Sequence, residues 1–277
     1  MKGKTLYVTD MDGTLLAPDS RVSSESAQLI TGLSKQGALI TVATARTPAT
    51  VEPLLEDTYT SLPAIVMTGA SLWDRRSKTY LRPRYIEQTI AEQIELLSVK
   101  YGINLFQYTI GADGILDVYH QGEMSEQEIA FVKERESLQY KRFHLRHSHE
   151  NSRLTALFFA MGERDRIFGL ADELRQCVNC SVSSYVDIFG EDTGILEVFA
   201  PNVSKAEAVQ SLAKEIGADK VVVFGDNLND IPMMQVADVA VAVGNALPEV
   251  KAIAHEVIGA NASNAVAQYI LHDYELV

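Results

Sequence analysis

Two carboxylates, Asp10 and Asp12, stand two positions apart in Asp10-Met11-Asp12-Gly13-Thr14-Leu15, directly after the β-branched and aromatic run Thr5–Thr9. Side chains at i and i+2 can face one site, where one carboxylate attacks as nucleophile and its neighbour serves as acid and base. An acidic turn is the plainer alternative, since Asp-Gly is a common turn pair. A second acidic cluster, Gly225-Asp226-Asn227-Leu228-Asn229-Asp230, also follows an apolar run. Four acidic or amide residues of this kind can hold a hard cation such as Mg2+, which prefers oxygen ligands. Thr44 closes another apolar run, where a hydroxyl can bind a phosphate oxygen. Lys205 opens a helix, where its charge adds to the positive helix end.

These side chains need a frame that brings four distant stretches of chain together. Thr5–Thr9, Leu39–Val42 and residues 64–67 read as short strands. A helix over Ser24–Lys35 separates the first two, with Ala27, Ile30 and Leu33 at helical spacing and Gly37 closing it. Toward the C-terminus, residues 195–199, 221–224 and 239–243 read as further strands. A helix over 204–216 carries Ala206, Val209, Leu212, Ala213 and Ile216 on one face, and Ser204 with Glu207 forms a capping box that sets Lys205 in the first turn. Apolar strands separated by helices indicate a parallel sheet covered on both faces, and ligands of such sheets bind beyond the carboxyl ends of the strands. Each of the four stretches lies at a strand end or a helix start.

The expected fold is therefore α/β, a Rossmann-like parallel core made from residues 1–83 and 191–277. Residues 84–190 are more polar, with helices expected over 86–101, 125–135 and 163–176 and less regular strands at 114–119 and 154–160. They are expected to form an inserted α+β domain.

Composition narrows the partners. Among 277 residues there are 24 basic and 37 acidic side chains, a net of −13, which argues against nucleic acid. A small anionic substrate remains compatible, because local cations and a metal override the global field. No apolar run approaches the ~20 residues of a membrane helix. The run at 6–8 meets Asp10 and Asp12 where a secretory signal would stay apolar. Two cysteines are too few for a disulfide framework. The expected location is the cytoplasm.

Taken in order, Asp10-Met11-Asp12-Gly13-Thr14, Thr44-Ala45-Arg46, Lys205 and Gly225-Asp226-Asn227-Leu228-Asn229-Asp230 resemble the motifs of the haloacid dehalogenase superfamily, most closely its Cof-type phosphatases. The resemblance covers the whole chain. Only one helix separates Thr14 from Thr44, and the large insertion after the third strand is similar to the family's C2-type cap, which reads the substrate. The resemblance implies that Asp10 attacks phosphorus to form an aspartyl phosphate, while Asp12 protonates the leaving alkoxide and then activates water. It implies Mg2+ held by the Asp10 carboxylate, the Asp12 backbone carbonyl and Asp226, with Asn229 and Asp230 in support. Thr44 and Lys205 would hold the phosphoryl oxygens, with Met11, Ala45 and Asn229 also at the phosphate or substrate site. The implied reaction is hydrolysis of a small phosphorylated metabolite, a sugar phosphate being the commonest expectation. Such transfer depends mostly on positioning and charge neutralisation.

Three positions depart from the family pattern: Ala45 replaces a glycine, Thr68 in Thr68-Gly69-Ala70 replaces an asparagine, and Ala206 replaces the glycine that often follows the lysine. None removes a catalytic group, but Ala45 and Thr68 bear on the shape of the substrate pocket. P-type ATPases of the superfamily carry Thr where Asp12 stands, so Asp12 favours a phosphatase, with a phosphomutase as the second reading. A non-catalytic regulatory protein would be expected to lose Asp10, Asp12 or Asp226. Cys177-x-x-Cys180 with His144, His147 and His149 offers a zinc set, although two ordinary cysteines are the plainer reading. Trp73, Tyr108 and Tyr119 are candidate substrate contacts, with packing as the default.

Overall fold

The computed structural model describes residues 3–146, 154–187 and 190–276. The chain divides into two compact units, one made of Met1–Leu81 with Ser204–Val277 and the other of Arg82–Val203.

In the first unit five parallel strands lie in the order Glu256–Val257, Val239–Ala242, Lys220–Gly225, Thr5–Thr9, Leu39–Val42. A parallel bridge from Ala43 to Ile65 sets Ala64–Val66 beside the last of these. Numbered along the chain within this unit, the strands run 3-2-1-4-5-6, the order of a doubly wound sheet. That order reverses between the first strand and the fourth, and the crevice at the reversal is where such sheets bind ligands. Thr5 pairs with Lys220 and Thr9 with Phe224, so both central strands end level with each other. Leu6, Tyr7, Val8, Val222, Val223 and Phe224 are all buried, as strands covered on both faces require.

Local chemistry sets the flanking helices. The Ser23 hydroxyl accepts from the Ser26 amide to start Ser24–Lys35, which buries Ala27, Ile30 and Leu33. This helix packs on Ala265–Leu276, and Lys205–Ile216 packs on Ile231–Gln235. The Ser204 hydroxyl accepts from the Glu207 amide at 3.1 Å, and Gly217 ends the helix in the left-handed region. Ala64–Val66 also starts an antiparallel meander with Ser71–Asp74 and Thr79–Leu81. Its Trp73 is fully buried, donates its indole N–H to Glu52 and meets Tyr80 edge-on at 4.9 Å. Trp73 is therefore a core residue and not a substrate contact.

The second unit is built on a six-stranded sheet in the order Ser181–Asp187, Gly190–Phe199, Thr155–Glu163, Phe106–Ile110, Leu116–His120, Lys141–Leu145. It is antiparallel except for the last pair. Arg164–Cys177 lies on this sheet through Ile167, Leu170, Ala171 and Leu174 and packs on Gln88–Tyr101. Phe131, from the capping-box helix Glu126–Lys133, stacks on Phe159 with ring centres 4.9 Å apart. Tyr108 is buried, and Tyr119 stacks on His144 at 5.1 Å.

One expected strand changes sheets. Residues 195–199 are the end of Gly190–Phe199, which pairs antiparallel with Ser181–Asp187 and Thr155–Glu163 and not with the core strands. An apolar run shows that a strand is buried but not which strand it pairs with, and here the neighbour in the chain takes it. The second unit accordingly runs from Arg82 to Val203, in place of the expected 84–190. No described helix is long and apolar enough to cross a membrane.

Candidate active site

Asp10 leaves the first strand in extended conformation, and its N–H bonds the Phe224 carbonyl at 3.0 Å, which fastens the two central strand ends together. The chain then turns sharply through Met11–Leu15. Gly13 sits there at φ +79°, and a Cβ on it would collide with the Asp226 carboxylate. Only glycine satisfies both the dihedral and the close approach. The Thr14 hydroxyl donates to Asp226 Oδ1 at 2.8 Å, tying the first acidic loop to the second.

Lys205 joins the group from the start of its helix. Its Nζ donates to Asp10 Oδ1 at 2.6 Å and to Asp230 Oδ1 at 2.8 Å. The other Asp230 oxygen accepts from the amides of Asp226 and Asn227 at 3.1 and 3.2 Å. Asp10, Lys205 and Asp230 are 5%, 3% and 0% exposed, a depth at which charges persist only when paired. Burial disfavours the Lys205 charge, but Asp10 and Asp230 outweigh it and hold the ammonium protonated. Burial pushes the Asp10 carboxyl up; Lys205 pulls it down, and Asp230 and Asp226 push it up again, so the net direction is upward. Asp226 is pushed up to about 6, mainly by burial and then by Asp230, against the opposing Thr14 bond.

Among the described residues Asp10, Asp226 and Asp230 bring carboxylate oxygens within 4.8 Å of one another. Three carboxylates facing one ammonium leave an excess of negative charge, and every donor is a hard oxygen. Such a set fits Mg2+. Both oxygens of Asp230 are already engaged, whereas Asp226 is half-buried at the edge of the group.

The remaining expected residues fall in different places. Thr44 is buried, and its hydroxyl accepts from the Arg46 amide at 3.1 Å. Ala45 beside it is half-buried. Asp12 is half-exposed, and both its oxygens are gripped by the Arg46 fork, Nε to Oδ2 at 2.7 Å and Nη2 to Oδ1 at 2.6 Å. Met11 is buried in the core, which leaves only its backbone for a ligand. Asn229 is exposed and takes no part in these bonds.

Sequence reasoning missed two residues. Arg46 was legible only as part of a motif, not as the partner of Asp12. Asn245 donates to the Gly13 carbonyl at 2.7 Å and accepts from the Asn261 amide at 2.9 Å, bracing the turn that carries Asp12. Its one signal is a position just past the apolar strand Val239–Ala242. The zinc set does not assemble among the described residues. Cys177 is exposed, burial pushes the Cys180 thiol up to about 11, and His144 Nε2 lies 2.7 Å from Asp117. His147 and His149 lie outside the described residues.

Residues 7–270 match the haloacid dehalogenase-like hydrolase family. The 5-amino-6-(5-phospho-D-ribitylamino)uracil phosphatase of Bacillus subtilis is 26% identical over 269 residues, covering 96% of this chain and 94% of that protein. The pyridoxal phosphate phosphatase of Escherichia coli is 26% identical over 277 residues, with 94% and 95% covered. A crystal structure of a haloacid dehalogenase-like hydrolase from Bacteroides thetaiotaomicron shares the fold, with a TM-score of 0.76 at 20% identity over 98% of this chain and 100% of that one. With a family match running almost from end to end, this chain belongs to the haloacid dehalogenase-like hydrolases.

Proposed function

We propose that this hydrolase is a Mg2+-dependent phosphatase of small phosphorylated metabolites that works through an aspartyl phosphate on Asp10. The observation that carries the reading is the buried Asp10 carboxylate at the sheet's switch point, with Oδ1 held by Lys205 and Asp226 beside it. With Oδ1 held, Oδ2 is the oxygen that attacks. It forms the new bond to phosphorus as the ester bond breaks, and Asp12 gives its proton to the leaving oxygen. Asp12 then takes a proton from water, the water oxygen attacks phosphorus, and the bond from Asp10 to phosphorus breaks. Phosphate and the original carboxylate result.

Lys205 and Thr44 hold the phosphoryl oxygens. Asp10, the Asp12 carbonyl and Asp226 are the groups that would hold Mg2+, whose charge offsets that of the phosphoryl oxygens during transfer. Because Arg46 occupies both oxygens of Asp12, one of its bonds must give way whenever Asp12 handles a proton. Because the Bacillus and Escherichia relatives are named for phosphorylated nitrogen heterocycles, such compounds join sugar phosphates as the substrates to try. Arg82–Val203 takes the part of the cap that selects among them.

The test is phosphate release from sugar phosphates, pyridoxal phosphate and p-nitrophenyl phosphate, with Mg2+ and with chelator, for the wild type and Asp10→Asn. The expected result is metal-dependent release that Asp10→Asn abolishes while its circular dichroism stays unchanged. Appreciable Mg2+-dependent turnover by Asp10→Asn would sink the assignment of the nucleophile.

A further inference from the structure

After Ala64–Val66 the chain places three consecutive residues in the left-handed region, Met67 at φ +49°, Thr68 at +56° and Gly69 at +97°. For Gly69 the reason is spatial, since a Cβ there would collide with the Ser204 carbonyl just before Lys205. For Thr68 the geometry runs against the residue type. A β-branched side chain at positive φ is an outlier, whereas glycine, asparagine or aspartate would sit there with less strain.

The strain is imposed from both sides. The Thr68 N–H bonds the Thr44 carbonyl at 3.0 Å and the Met67 N–H bonds the Arg46 carbonyl at 3.0 Å. The next residue lies against Ser204, which caps the helix of Lys205. Thr68 is thereby clamped between the two segments that carry Thr44 and Lys205. It is half-buried, and its hydroxyl has no hydrogen-bond partner among the described residues. Strained positions that the surroundings over-determine concentrate where a side chain meets a ligand.

We propose that Thr68 is a specificity-determining residue, whose side chain contacts the part of the substrate adjoining the phosphoryl group. The proposal rests on the phosphatase reading of the site. The hydroxyl can donate to or accept from a polar atom of the leaving group next to the ester oxygen. A substrate with a hydroxyl or ring heteroatom there gains from it, and a plain aryl phosphate does not.

The experiment compares wild type, Thr68→Ser and Thr68→Gly on sugar phosphates, pyridoxal phosphate and p-nitrophenyl phosphate, with Tm measured alongside. Thr68→Gly removes the clash of residue type with backbone, so its Tm is expected to hold or rise. Its kcat/KM for the preferred metabolite is expected to fall about tenfold through KM, the size of one lost neutral hydrogen bond, while p-nitrophenyl phosphate turnover stays within about twofold. Thr68→Ser keeps the hydroxyl and should retain the wild-type ranking. An unchanged ranking in Thr68→Gly overturns the proposal. An equal loss on every substrate also overturns it, because that pattern marks a loop that merely shapes the site. A wild type that releases no phosphate from any of them defeats the phosphatase reading itself, and this proposal with it.

Discussion

Lys141 opens the edge strand Lys141–Leu145 of the second unit and is only 5% exposed, yet no described carboxylate hydrogen-bonds its ammonium. Its Nζ lies 5.2 Å from the ring centre of Tyr108 and 5.9 Å from that of Phe143. Burial, with repulsion from Arg135 added, pushes its pKa down to about 7. In the unfolded chain the same amine titrates near ~10.4, so between the two values the folded state binds fewer protons than the unfolded one. Stability must then rise with pH across that window. The penalty is fully present below about pH 7 and gone above about pH 10. A gap of roughly three units at ~1.4 kcal/mol each bounds the penalty near ~4 kcal/mol at neutral pH, of which about 2 kcal/mol returns by pH 9. Attraction of the charged form to the two rings, about 1 kcal/mol, opposes this without cancelling it. Lys141→Met keeps the apolar stem and removes the amine. It should stabilise the unit by about 2–4 kcal/mol at pH 7 and erase that part of the pH dependence. Urea unfolding of both proteins at pH 7 and pH 9 tests this. Circular dichroism is the suitable probe, because Trp73, the one tryptophan, lies in the first unit. The difference of differences cancels every other titrating group. If both proteins change equally between the two pH values, Lys141 does not titrate there and the reasoning is wrong.

Gly13→Ala should cut kcat by about a hundredfold with little change in circular dichroism, because the added methyl meets the Asp226 carboxylate and displaces a group whose position sets the rate. Full kcat in that variant would mean that the Asp226 loop yields freely. Cys177→Ala and Cys180→Ala should leave activity within about twofold and leave bound zinc, measured on the purified protein, unchanged, since neither thiol belongs to a metal-binding group of the described residues. A stoichiometric zinc lost on either substitution would restore the alternative set aside above.

The core and its acidic loops were legible because each candidate stretch directly follows a short apolar strand or opens a capped helix. That rule placed Asp10, Thr44, Lys205 and Asp226 correctly at strand ends and a helix start, and the strand order then made Asp10 and Asp226 neighbours. Contacts between loops were not legible. The Arg46 grip on Asp12 and the reach of Asn245 to Gly13 depend on where two turns meet in space, and no spacing rule encodes that. The meander through Thr79–Leu81 escaped because Arg75-Arg76-Ser77-Lys78, which joins its last two strands, lacks the glycine or proline that marks most turns. Strand 195–199 was recognised as a buried strand but placed in the wrong sheet, since its apolar run records burial and not a partner.

The pairing of Thr5–Thr9 with Lys220–Gly225 also governs the order in which the molecule can form during synthesis. The central strand of the first unit is made well before Lys220–Gly225, one of its two partners. All of Arg82–Val203 is made in between, which at roughly 5–20 residues per second occupies on the order of ten seconds. Throughout that interval the apolar edge Leu6-Tyr7-Val8 has no Val221-Val222-Val223 to pair with, while the six strands of the second unit can already find one another. The nascent chain therefore carries an open, sticky strand edge throughout that interval, and that edge is where a chaperone would have most to protect.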